Sequence, residues 1–120
     1  MDTPKPDPDA DCLELLAHEH AEVRDWLRRK RKSTLGVIQT HAESRSFIDA
    51  LYKLGVPQVF AVEIDKYPGG MENTGKLVIE LPVDPAARAS VFDWAAVIAQ
   101  ELGFDGKSDV GQKYLFVMLD

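Results

Sequence analysis

The stretch that decides the fold is residues 58–82, which reads QVFAVEID (58–65), KYPGGMENTG (66–75) and KLVIELP (76–82). Two runs of alternating apolar residues flank a connection rich in glycine, the pattern of an antiparallel hairpin. With Asp65 set opposite Lys76, Ile64 faces Leu77, Val62 faces Ile79 and Phe60 faces Leu81. These six side chains then share one sheet face, which helices must cover. Val59, Ala61, Glu63 and Asp65 lie on the other face, opposite Lys76, Val78 and Glu80. The connection is longer than the usual hairpin loop of about 2–5 residues.

Upstream, Thr40-His41-Ala42-Glu43 matches a capping box, in which the Thr40 hydroxyl takes the amide of Glu43 and the Glu43 carboxylate answers back. The helix it opens carries Phe47 or Ile48, Leu51 and Leu54 on one face, and Gly55 and Pro57 end it. Before it, STLGVIQT (33–40) reads as a strand. Downstream, Asp84-Pro85 supplies an N-cap acid and a proline at the first helical position. Val91, Trp94 or Ala95, Ile98 and Leu102 mark the buried stripe of that helix, and Gly103 closes it. The final run, KYLFVMLD (113–120), is apolar on both faces, with Leu115, Val117 and Leu119 on one and Tyr114, Phe116 and Met118 on the other. Such a strand requires cover on both sides.

Residues 34–120 therefore order as β-α-β-β-α-β. This resembles the ferredoxin-like architecture, and the resemblance implies an α+β fold: an antiparallel sheet with two helices on one face. Residues 11–33 precede it as an amphipathic helix. Leu13, Leu16, His20, Val23 and Leu27 form its stripe, with acids at its start and RRKRK at its end, as the helix dipole favours. Residues 1–10, with three prolines and alternating charges, read as a disordered tail.

A chain of 120 residues with 45% hydrophobic and 28% charged residues suits one globular domain. Its net charge of −6 argues against a surface that wraps duplex nucleic acid. The longest apolar run, WAAVIA (94–99), is far short of the ~18–20 residues that span a bilayer, so no membrane partner is expected. The acidic, proline-rich N-terminus lacks the apolar core of a signal peptide. Cys12 is the one cysteine, so no intrachain disulfide forms. The expected location is the cytoplasm.

No P-loop, dinucleotide fingerprint, nucleophile elbow or cysteine pair is present. No catalytic residue, cofactor or metal is therefore assigned. His18 and His20 in HEHAE are two apart and point in opposed directions on a helix, and Cys12 sits among acids that disfavour its thiolate. The Asp105–Asp109 segment lacks the glycine and twelfth-position acid of a calcium loop.

Three surfaces are candidates for binding. The outer sheet face, with Val59, Val78, Tyr114, Phe116 and Met118, is an apolar patch of the kind that self-associates; a homodimer, or another protein partner, covers it with the help of the N-terminal helix, or that helix folds back over it in a monomer. The loops His41, Glu43, Lys66, Tyr67, Met71, Asn73, Asp105 and Asp109 are expected at one end of the sheet, as a small-molecule or partner site with Tyr67 and Met71 as anchors. The run Arg28, Arg29, Lys30, Arg31 and Lys32 is a polyanion contact, or more simply a solvated helix end. The expected function is that of a non-catalytic interaction or regulatory module. Small-molecule sensing and an accessory role on nucleic acid are the alternatives.

Overall fold

The computed structural model describes residues 6–120. In chain order its elements are α1 (Ala10–Ala17), β1 (His20–Glu22), α2 (Val23–Arg29), β2 (Ser33–Leu35), α3 (His41–Tyr52), β3 (Gln58–Val62), β4 (Asp65–Lys66), β5 (Glu72–Thr74), β6 (Lys76–Glu80), α4 (Pro85–Leu102) and β7 (Tyr114–Met118). The fold is mixed α+β. Strands β1, β3, β6 and β7 form a four-stranded antiparallel sheet in that order, and β2, β5 and β4 form a second, small sheet. Of the tail read at 1–10, residues 1–5 lie outside the described residues. Ala10 already opens α1.

The ends of the two long helices follow their sequence signals. Thr40 Oγ1 accepts the Glu43 amide at 3.1 Å, without the return bond of a full capping box, and the Asp84 carboxylate accepts the Ala87 amide at 2.9 Å. Gly103 ends α4 with a left-handed φ of 81°, a conformation open to glycine at little cost.

The strand order is not that of a ferredoxin-like sheet. The strand expected over 33–40 is cut to three residues, stands outside the main sheet, and pairs parallel with β5. Gly36 is the reason. It turns the chain at φ +49°, and a Cβ there would lie 2.2 Å from the Leu119 carbonyl oxygen, so only glycine lets the chain pass so close to the C-terminal strand. In the main sheet β6 pairs directly with β7, and β1 adds at the edge beside β3.

The N-terminal helix of residues 11–33 is likewise two helices with a strand between them. Cys12, Leu15 and Leu16 of α1 pack against Phe60, Val62, Val78, Tyr114 and Phe116 on one sheet face. Val23, Trp26 and Leu27 of α2 join α3, α4 and the opposite face. A continuous helix would offer both stripes to the same face. Full burial of three large side chains stabilises by about 1.5–3 kcal/mol each, against roughly 1 kcal/mol for each helical hydrogen bond lost. Strand β1 recovers bonds from β3 as it crosses the sheet edge, pairing His20 with Val62 and Glu22 with Phe60. Glu22 then caps α2, its carboxylate accepting the amides of Arg24 at 2.6 Å and Asp25 at 3.1 Å.

The hairpin register also differs. Phe60 pairs with Val78 and Ala61 with Leu77, three positions away from the register that sets Asp65 against Lys76. An odd shift exchanges the faces of a strand. Val59 and Ala61 therefore enter the main core with Leu77, Ile79, Leu115 and Val117, and Phe60 and Val62 lie beneath α1. The cause is the connection, which is not a loop. Glu63 takes a positive φ of 49°, and residues 65–74 fold back as β4, a short 3-10 turn at Pro68–Gly70, and β5.

Candidate functional site

The basic run is drawn into the fold. Arg28 and Arg29 both pair with Asp25, the latter at 2.7 Å. Lys30 reaches Glu72 at 3.4 Å, and Lys32 Nζ donates to the Gly69 carbonyl at 3.1 Å. Of the five cations, Arg31 alone makes no such contact among the described residues. Glu72 is buried and also accepts the Trp26 indole N–H at 2.9 Å. Burial pushes its carboxyl up, but the Trp26 and Lys30 hydrogen bonds outweigh that and hold it below the usual glutamate range. The run is an anchor between α2 and the β4–β5 hairpin.

The expected loop cluster is divided between the two ends of the sheet. At one end, His41 Nδ1 contacts the Ser33 carbonyl at 2.8 Å, and Asn73 Nδ2 donates to Thr34 Oγ1 at 2.8 Å. Lys66 pairs with Glu19 at 2.7 Å, Tyr67 and Met71 are exposed, and Glu43 lies in the first turn of α3. Asp109 belongs to the other approach, and Asp105 lies between the two, in the segment beside Leu115–Met118. β7 runs antiparallel to β6 beside it, so its start lies at the end of β6, whereas the β4–β5 hairpin precedes β6. There Asp109 accepts two hydrogen bonds from Arg88 at 2.8 Å, and Arg88 also donates to the Gln112 carbonyl at 2.7 Å. The Arg88 guanidinium holds the Asp109 carboxyl down at about 2.

The polar candidates are structural or dispersed. No group of three His, Cys, Asp or Glu side chains is placed to hold a metal among the described residues. Cys12 is buried, and burial pushes its thiol up, away from a reactive thiolate. Of the expected self-association face, Val59 lies in the main core and Val78 is fully buried under α1. Tyr114, Phe116 and Met118 remain half-exposed on β7.

β7 supplies the feature that reading the sequence missed. It ends the main sheet, so one of its sides carries no strand. The Leu81 amide donates to Lys113 O at 2.8 Å and the Leu119 amide to Gly75 O at 2.7 Å. In an antiparallel ladder these positions alternate, so residues 113, 115, 117 and 119 turn their main chain toward β6. Tyr114, Phe116 and Met118 turn theirs outward. The Asp9 carboxylate takes the Tyr114 amide at 2.9 Å. The outward N–H and C=O groups of Phe116 and Met118 have no intramolecular backbone partner among the described residues.

Beside that edge lies a half-open groove of about 310 Å³, at the lower end of the range for ligand sites. One wall is Leu115–Met118 and another is Ala95 and Ala99 of α4. The third is Phe104–Lys107, the start of a strap that returns from α4 to β7. The Lys107 ammonium lies 5.0 Å from the centre of the Phe116 ring. The adjoining half of α4 buries little: Val91 is its one fully buried residue, and Val97 and Phe104 are exposed. The two-faced apolar pattern of 114–119 was the available signal, since a strand that needs cover on both faces has been left with an open side. No helix among the described residues is long and apolar enough to cross a membrane.

No protein-family model, characterised protein or solved structure matches this chain.

Proposed function

We propose that the protein is a non-catalytic interaction module of the cytoplasm that receives an extended segment of a partner chain along the outer edge of β7. The observation that carries this reading is the pair of outward main-chain groups at Phe116 and Met118 beside an apolar groove. Strand addition of this kind draws affinity from main-chain hydrogen bonds and specificity from flanking pockets. An open edge is a hazard that folds ordinarily blunt with charge, proline or cover. Here the edge residues Leu115–Met118 carry no charge and no proline, and the strap stands beside them without bonding to them. The polyanion reading has less support, because four of the five cations of residues 28–32 are engaged within the chain.

The test is photocrosslinking of the full chain in cells with benzoylphenylalanine at position 104, followed by amide exchange on the purified complex. Met118→Pro removes one outward N–H at a position where edge strands tolerate proline. Crosslinks that disappear in that variant, with slowed exchange at the Phe116 and Met118 amides of the unsubstituted complex, are expected. An unchanged crosslink pattern in Met118→Pro refutes the edge as the docking site.

A further inference from the structure

Resting on that reading of the β7 edge, we infer that one occupant of the groove is a second copy of this chain, paired β7 to β7 antiparallel about a two-fold axis at Val117. Outward main-chain groups are free at two positions, Phe116 and Met118, since Asp9 occupies the Tyr114 amide. Antiparallel pairing matches outward residues with outward residues. Setting Phe116 opposite Met118 of the copy, and Met118 opposite its Phe116, satisfies both pairs at once and leaves Val117 facing its own equivalent. The edge is thus its own complement, as a two-fold interface requires. Side-chain parity agrees: Phe116 and Met118 extend the α1 face of the sheet across the axis, and Val117 extends the main-core face.

The charges of the groove are reciprocal in the same arrangement. Its wall carries one carboxylate, Asp105, and one ammonium, Lys107, and neither is in an ion pair among the described residues. Lys107 lies beside Phe116. Asp105, two residues earlier on a strap that runs back toward the start of β7, lies on the Met118 side. The copy places its Phe116, and with it its Lys107, opposite Met118 and so level with Asp105. A partner peptide of one charge sign would satisfy one of these groups and oppose the other. The two-fold copy satisfies both, and the exposed Val97 and Phe104 flank the new contact.

Light scattering across a dilution series tests this on the full chain. The expected result is a mass of twice 13.4 kDa that falls toward 13.4 kDa on dilution, and Met118→Pro that is monomeric with an unchanged circular dichroism spectrum. The charge swaps sit on the exposed strap and keep the test decisive if the proline variant misfolds. Lys107→Glu and Asp105→Lys should each weaken dimerisation by about tenfold, and the double swap should restore it, since like charges at an interface are costly. A monomer throughout, up to about 1 mM, overturns the inference, as does a dimer that survives Met118→Pro or a double swap weaker than either single. A monomer whose crosslinks to another protein still depend on Met118 overturns the second copy and leaves the docking edge standing.

Discussion

Glu72→Ala tests how the basic run is used. The carboxylate is 8% exposed and holds the Trp26 indole N–H at 2.9 Å, with Lys30 at 3.4 Å. Trp26 is 1% exposed, so in the intact fold its N–H depends on Glu72 for a partner. An orphaned buried donor costs about 1–3 kcal/mol, and a hydrogen bond to a charged group contributes roughly 1.5–3 kcal/mol. The Lys30 pair adds less, because that ammonium is substantially exposed and exposed pairs contribute about 0–1 kcal/mol. A loss of about 2 kcal/mol is expected, which in a chain of this length lowers Tm by about 8 °C. Urea unfolding of the native chain, Glu72→Ala, Trp26→Phe and the double variant closes a cycle that isolates the pair. The expected coupling is about 1–2 kcal/mol, with a smaller loss from Glu72→Ala when Phe occupies position 26. Equal losses in both backgrounds refute the claim that Glu72 is retained to satisfy Trp26.

Acid should act through the same class of contact. The carboxyls of Asp25, Glu72 and Asp109 are all held below their ordinary values, so the stability they add is present above the ordinary carboxylate range, near ~4. It is lost as pH falls through their folded values, with Asp109 last at about 2. Replacing Arg88 by Met should flatten the lowest part of a Tm-against-pH curve and leave pH 6–8 with a constant offset. Gly36→Ala should cost about 3 kcal/mol or more in chemical unfolding, since it combines a left-handed φ with a Cβ driven into Leu119 O; Gly55→Ala, where the nearest atom is 3.5 Å away, should cost about 1 kcal/mol. Asp9→Ala removes the acceptor for the Lys113 and Tyr114 amides. It should loosen α1 and raise the rate of Cys12 labelling by a thiol reagent roughly tenfold, with global Tm falling less than in Gly36→Ala.

What could be read from the residues alone is what short-range physics controls. The caps at Thr40 and Asp84 and the left-handed stop at Gly103 each depend on a few neighbouring groups, so α3 and α4 begin, and α4 ends, where their signals lie, while α3 stops at Tyr52, three residues before Gly55. The three principal strands at 58–62, 76–80 and 114–118 follow from their apolar alternation. So do the inward faces of β6 and β7, on which Leu77, Ile79, Leu115 and Val117 enter the main core.

Tertiary structure decided everything that depends on which surfaces meet. The helical spacing of Leu13, Leu16, Val23 and Leu27 fits one helix or two; the presence of two sheet faces to bury against selects two, and Leu13 is then left exposed. The face of β3 turned on a shift of three residues set by the backbone at Glu63, which the alternation of 58–65 does not encode. Within the basic run Arg28 and Arg29 pair locally with Asp25, but Lys30 and Lys32 found their partners at Glu72 and Gly69, some forty residues away in the chain. β7 keeps an open side because no described strand pairs with it beyond β6: β1, from a segment that reads as helix, adds to β3 at the far edge, and strand 33–35 pairs with β5 outside the main sheet. Local hydrogen bonding and periodicity thus specify the elements; long-range packing and backbone clearance specify their neighbours, and the candidate site is a property of the neighbours.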